Sequence, residues 1–137
     1  MHEYTSTTRV WELLCPGLPE EVGRARHWTR DVLGEHPRAD DAALIVTELV
    51  TNAITHAASP DFRLTLRRVG SALTLTVTDR GRGVGHPRTA HPGDDDAHGR
   101  GLVIVHLLAD PVRIACHPLG HTVTVHLAIP ARKAASC

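Results

Sequence analysis

Asp41-Ala42-Ala43-Leu44-Ile45-Val46-Thr47-Glu48-Leu49-Val50-Thr51-Asn52-Ala53-Ile54-Thr55-His56-Ala57 repeats its apolar residues at spacings of three and four, the signature of a helix with a broad buried face. The helix is expected to start near Asp40 or Asp41, either of which could cap it. It should run to about Ala58, where Ser59-Pro60-Asp61 breaks it. With Ile45 set to zero, the apolar positions span roughly 0° to 180°. Glu48, Asn52 and His56 fall near −60°, −20° and +20°, about 40° apart. They form a polar ridge along one edge of the buried face. A carboxylate on such an edge can accept a proton or orient a hydroxyl, and a carboxamide one turn later offers a neutral hard oxygen suited to Mg²⁺.

Working outward, Arg9–Cys15 reads as a strand ended by Pro16-Gly17, and Pro19-Glu20-Glu21 opens a first helix that closes at Gly34 and Pro37. After the long helix, residues 62–69 and 72–78 alternate apolar and polar side chains about Gly70-Ser71, as in a half-buried antiparallel pair. Residues 80–98 hold much of the Gly, Pro and Asp without periodicity, a length that favours a functional loop over plain linkage. Leu102 to Ala109 reads as a short apolar helix. Residues 112–116 and 122–129 form a closing hairpin about Pro118-Leu119-Gly120, and 131–137 read as a frayed tail. The order implies an α+β two-layer sandwich with helices on one face of a mixed, mostly antiparallel sheet. Residues 1–137 make a single domain with a core of about 9–130.

Two glycine-punctuated segments follow the helix: Asp79-Arg80-Gly81-Arg82-Gly83 and His98-Gly99-Arg100-Gly101-Leu102. Asp79 ends a strand, where a fixed carboxylate can accept from an exocyclic amine such as adenine N6. Gly81 and Gly83 let a flat ring approach the backbone. Gly99 and Gly101 lead into a helix whose first amides can meet phosphate oxygens, with Arg100 adding a charge-assisted contact. Each segment also has an ordinary reading, as an Asp-Gly turn and as a helix entry needing small residues. Neither the Gly-x-Gly-x-x-Gly dinucleotide pattern nor a Gly-Lys-Ser/Thr phosphate loop follows the first strand.

Bulk properties narrow the classes. In 137 residues, 15 Lys plus Arg balance 15 Asp plus Glu, so no bulk basic field exists to hold nucleic acid or an anionic membrane. Hydrophobic residues make 42% but aromatics only 3%, so the core must be built from Val, Leu, Ile and Ala. No apolar run is long enough to span a membrane and the polar start is unlike a signal peptide, so a cytoplasmic location is expected. Cys15, Cys116 and Cys137 read as reduced thiols without metal-ligand spacing. The eleven histidines are scattered and suggest no metal site. Trp11 and Trp28 read as core or interface anchors.

Taken together, Glu48…Asn52…His56, Asp79-Arg80-Gly81-Arg82-Gly83 and Gly99-Arg100-Gly101 resemble the N, G1 and G2 boxes of the superfamily that holds gyrase-type ATPases, Hsp90 and histidine-kinase catalytic domains. The wording Glu48-Leu49-Val50-Thr51-Asn52-Ala53-Ile54-Thr55-His56-Ala57 is similar to one branch, the bacterial anti-sigma-factor serine/threonine kinases and their stand-alone relatives. The likeness covers about Val10 to Ile129. It implies the Bergerat ATP-binding fold, with Glu48 as general base, Asn52 as magnesium ligand and Asp79 as the adenine-reading acid. Gly81 and Gly83 would border the base; Gly99, Arg100, Gly101, Leu102 and His56 would lie near the phosphates. Thr122 matches the hydroxyl residue near adenine, although His121 could instead occupy that place.

The cofactors implied are ATP and Mg²⁺. The partners implied are an antagonist protein phosphorylated on serine, a sigma factor, and a second copy in a homodimer that Trp11 could support; no direct nucleic-acid contact is implied. Asp94-Asp95-Asp96 in the expected lid departs from the pattern, because acids beside a triphosphate repel it unless they point outward or meet a cation. A non-catalytic module that holds nucleotide, or sequesters a partner, therefore stands as the alternative.

Overall fold

The computed structural model describes residues 7–81, 112–118 and 120–128. Seven elements follow one another: β1 (Thr8–Pro16), α1 (Glu21–Leu33), α2 (Ala39–Thr55), β2 (Asp61–Val69), β3 (Ala72–Asp79), β4 (Val112–His117) and β5 (Gly120–Leu127). The expected loop at 80–98, from residue 82 on, and the expected helix at 102–109 lie outside the described residues.

The strands form one five-stranded sheet in the order β1-β2-β3-β5-β4. All four pairings among the described residues are antiparallel. The fold is thus α+β, with α1 and α2 packed on one face of the sheet. Alternation decides which face is covered. Phe62, Leu64 and Leu66 of β2 and Leu73, Leu75 and Val77 of β3 are buried, and the β3 residues have Leu127, Val125 and Val123 as their register partners on β5. Ala42, Ile45, Val46, Leu49, Val50 and Ala53 of α2 close the same core from above, and Trp11 and Trp28 pack at its margin. With so few aromatics, aliphatic side chains must fill this layer at crystal-like density.

The opposite face carries Arg63, Thr65 and Arg67 beside Thr74, Thr76 and Thr78, then Thr122, Thr124 and His126. Thr74 Oγ1 lies 3.2 Å from His126 Nδ1, a cross-strand pair of the kind that stabilises sheets.

Two expectations about α2 need correction. Neither Asp40 nor Asp41 caps it: Arg38 holds the cap position without a side-chain cap, and both acids fall in the first turn. Asp41 instead accepts from Arg38 Nε at 2.9 Å, while Arg38 Nη1 donates to the Ala128 carbonyl at 2.5 Å. The acids still meet the positive end of the helix dipole. At the other end the helix stops at Thr55, so His56 is the C-cap rather than a continuation of the ridge. The link between α1 and α2 is tied to the β2–β3 turn by buried His36, whose Nε2 reaches the Ser71 carbonyl at 3.0 Å. His36 Nδ1 accepts the Arg38 amide at 3.0 Å.

Candidate functional site

Asp79 is the last residue of β3 and continues the inward series Leu73, Leu75, Val77. Its side chain is only 7% exposed. Three donors converge on one of its oxygens. Oδ1 accepts the Gly81 amide at 2.9 Å and the His121 amide at 3.2 Å. It also lies 3.0 Å from His121 Nδ1. Because Oδ1 already accepts two backbone N–H groups, the ring must donate, which fixes the hydrogen on Nδ1. Oδ2 has no donor among the described residues. An acceptor this deeply buried is costly to leave unpaired, and its chemistry suits an N–H donor supplied by a ligand.

Two absent Cβ atoms make this arrangement possible. A Cβ on Gly81 would overlap the Ala57 carbonyl oxygen and come within 2.6 Å of its carbon. A Cβ on Gly120 would overlap the Asp79 carbonyl oxygen and lie 2.7 Å from its carbon. The chain after Asp79 is thereby pressed against the end of α2, and β5 begins close enough for the His121 amide to reach the carboxylate.

A polar clasp holds the same junction. The Arg80 amide donates to buried Ser59 Oγ at 2.8 Å, and that hydroxyl donates to the Asp61 carbonyl. The Arg80 guanidinium grips Asp61 through Nε at 2.9 Å and Nη2 at 2.6 Å, a bidentate geometry. The hydrogen bond from Arg80 holds the Asp61 carboxyl below its ordinary range. Sequence reading took Ser59-Pro60-Asp61 only as a helix breaker. No local pattern ties Ser59 and Asp61 to Arg80, which lies 21 and 19 residues further along the chain.

Of the residues singled out in the sequence, Glu48 and Asn52 are half-buried on α2. Asn52 lies in its last turn, where its carbonyl accepts the His56 and Ala57 amides at 2.9 and 3.2 Å. α2 packs on β2 and β3, and Gly81 sits on Ala57, so the last turn of α2, Asp79, Gly81 and His121 share one end of the fold. His56 is exposed there rather than at the half-buried edge that its angle suggested. Thr122 is not brought to this cluster. It pairs with Thr78 and Ala115, which places it on the opposite face of the sheet, while His121 stands beside Asp79. Gly83, Gly99, Arg100, Gly101 and Leu102 lie outside the described residues, as do Asp94, Asp95 and Asp96.

The profile of the histidine kinase-like ATPase domain family matches residues 15–127. No curated protein matches the chain. Among solved structures, the RsbU and RsbW domains of Rv1364c from Mycobacterium tuberculosis align at 20% identity with a TM-score of 0.67, over 90% of this chain and 34% of that one. The blue-light activated histidine kinase of Erythrobacter litoralis EL346 aligns at 22% identity and TM-score 0.56, over 89% of this chain and 44% of that one. Its histidine kinase domain aligns at 23% and TM-score 0.50, over 82% and 60%. These similarities share the fold, and the chain spans less than two thirds of each of these structures.

Proposed function

Because the chain belongs to the histidine kinase-like ATPase domain family, we propose that it binds ATP with Mg²⁺ at the end of the fold where α2, β3 and β5 meet. The observation that carries this reading is the buried Asp79 Oδ2 with no donor among the described residues. Adenine offers N6–H to that oxygen. Guanine would offer O6, setting acceptor against acceptor, so the site favours adenine by roughly ten- to a hundredfold.

We further propose that the protein is an anti-sigma-factor-type serine/threonine kinase that phosphorylates an antagonist protein, acts as a partner switch in transcription control and works as a homodimer. Glu48, half-buried one turn before Asn52, takes the proton of the attacking serine hydroxyl. The serine oxygen then forms a bond to the γ-phosphorus as the bond to the β-bridging oxygen breaks, and ADP leaves with that electron pair. Asn52 Oδ1 holds Mg²⁺, which neutralises phosphate charge. Mg²⁺ commonly keeps several waters and binds through substrate phosphates, so the ion would arrive with the nucleotide. Gly83 borders the base, and His56, Gly99, Arg100, Gly101 and Leu102 border the phosphates.

Incubation with labelled ATP and a serine-bearing antagonist tests this. The protein should transfer label to serine, and Glu48→Ala should lose transfer by at least about a hundredfold while keeping nucleotide affinity. Binding of nucleotide without transfer to any candidate would favour the sequestering module instead.

A further inference from the structure

We propose that His121 is the positioning residue that makes Asp79 an adenine reader, so that base selectivity belongs to the Asp79–His121 pair rather than to the carboxylate alone. This rests on the nucleotide-binding reading above and assigns the specificity of that same site. His121 supplies two of the three donors on Asp79 Oδ1, its amide at 3.2 Å and its ring at 3.0 Å. The two side chains are 9% and 7% exposed, so water competes little for that oxygen. Their positions are fixed by the sheet, since Asp79 at the end of β3 and His121 at the start of β5 are register partners.

Three donors on one oxygen have a geometric consequence. They hold the carboxylate in place, which leaves Oδ2 directed away from these donors and open to an N–H from a ligand. A hydroxyl at this place would supply one small donor. The imidazole supplies a donor and a ring that fills the space beside Oδ1.

The probe is the pair ATP and ITP, whose bases differ in the 6-amino or 6-oxo group and the accompanying N1 hydrogen. Dissociation constants for both are measured with Mg²⁺ on the full chain and on His121→Ala, His121→Asn and His121→Phe, with folding checked by circular dichroism. The wild-type chain should prefer ATP by at least about tenfold. His121→Ala and His121→Phe should reduce that preference by about tenfold, and His121→Asn, which keeps an N–H near the Nδ1 position, should recover most of it. A merely structural role would move both constants together and leave the ratio unchanged. If His121→Ala fails to fold, Asn against Phe carries the comparison. An unchanged ratio in Phe, or equal losses in Asn and Phe, overturns the proposal while the binding reading survives. A wild-type chain that binds neither nucleotide sinks the binding reading itself.

Discussion

Gly81 is pressed against the carbonyl of Ala57, so closely that the smallest side chain would collide with backbone. This contact joins the end of α2, which carries Glu48 and Asn52, to the strand end that carries Asp79. It is the mechanical link between the two halves of the candidate site.

Gly81→Ala should therefore force one of the two segments to move. Neither can yield through a flexible side chain, because the colliding atoms are the Ala57 carbonyl and its Cβ. The expected cost is about 1–3 kcal/mol of stability, measured by urea unfolding, with a loss of ATP affinity greater than tenfold. A variant of wild-type stability and affinity would show that the contact is not a constraint.

Ser59 bridges the Arg80 amide and the Asp61 carbonyl with one buried hydroxyl. Ser59→Ala leaves both groups without that partner at a site that is 4% exposed. The expected destabilisation is about 1–3 kcal/mol. Ser59→Thr should be worse than a conservative change suggests, because the extra methyl must enter a closed space.

The Asp61–Arg80 pair gives a pH signature. Asp61 has its folded value lowered by Arg80, so its contribution is present above its ordinary value and is lost as pH falls through the folded one. Asp61→Asn should lower the melting temperature slightly at pH 7 and not at pH 2. The effect stays small because Arg80 is 62% exposed and Asp61 38%, and water screens such a pair.

Burial, with the Glu21 carboxylate beside it, raises the Cys15 thiol from an ordinary 9.0 to about 11. The folded state thus favours the neutral thiol. That contribution is complete below about pH 9 and is lost as pH rises to about 11. At pH 8 the thiolate fraction should be about a hundredfold below that of an ordinary cysteine. Site-resolved mass spectrometry after iodoacetamide treatment should find Cys15 unmodified in the native protein and labelled once urea unfolds it.

Much of this architecture was legible because burial is written as period. The spacing of Ile45, Leu49 and Ala53 gave α2, and the alternation of Leu73, Leu75 and Val77 gave β3, with Asp79 at its end; the structure shows Asp79 continuing their inward series. The same alternation on β5 separates His121 from Thr122. Val123, Val125 and Leu127 share parity with His121, and a shift of one residue exchanges the two faces. Helix ends were less legible. Asp40 and Asp41 look like caps, yet Arg38 takes that position without a side-chain cap, its guanidinium bonded to Asp41 and the Ala128 carbonyl. Partners far apart in sequence, such as Arg80 with Ser59, carry no local pattern at all.

In the proposed site, Asp79 Oδ2 accepts an adenine amine. Calorimetric titration of Mg-ATP and Mg-GTP into the wild-type chain and Asp79→Asn tests it most directly. Asparagine keeps an oxygen for the Gly81 and His121 amides but presents –NH₂ where Oδ2 stood, so it meets adenine N6–H₂ donor to donor and guanine O6 favourably. The wild-type chain should prefer ATP by about tenfold or more, and Asp79→Asn should lose or invert that preference. Equal affinity for the two nucleotides in the wild-type chain, or an ATP preference untouched by Asp79→Asn, would contradict it.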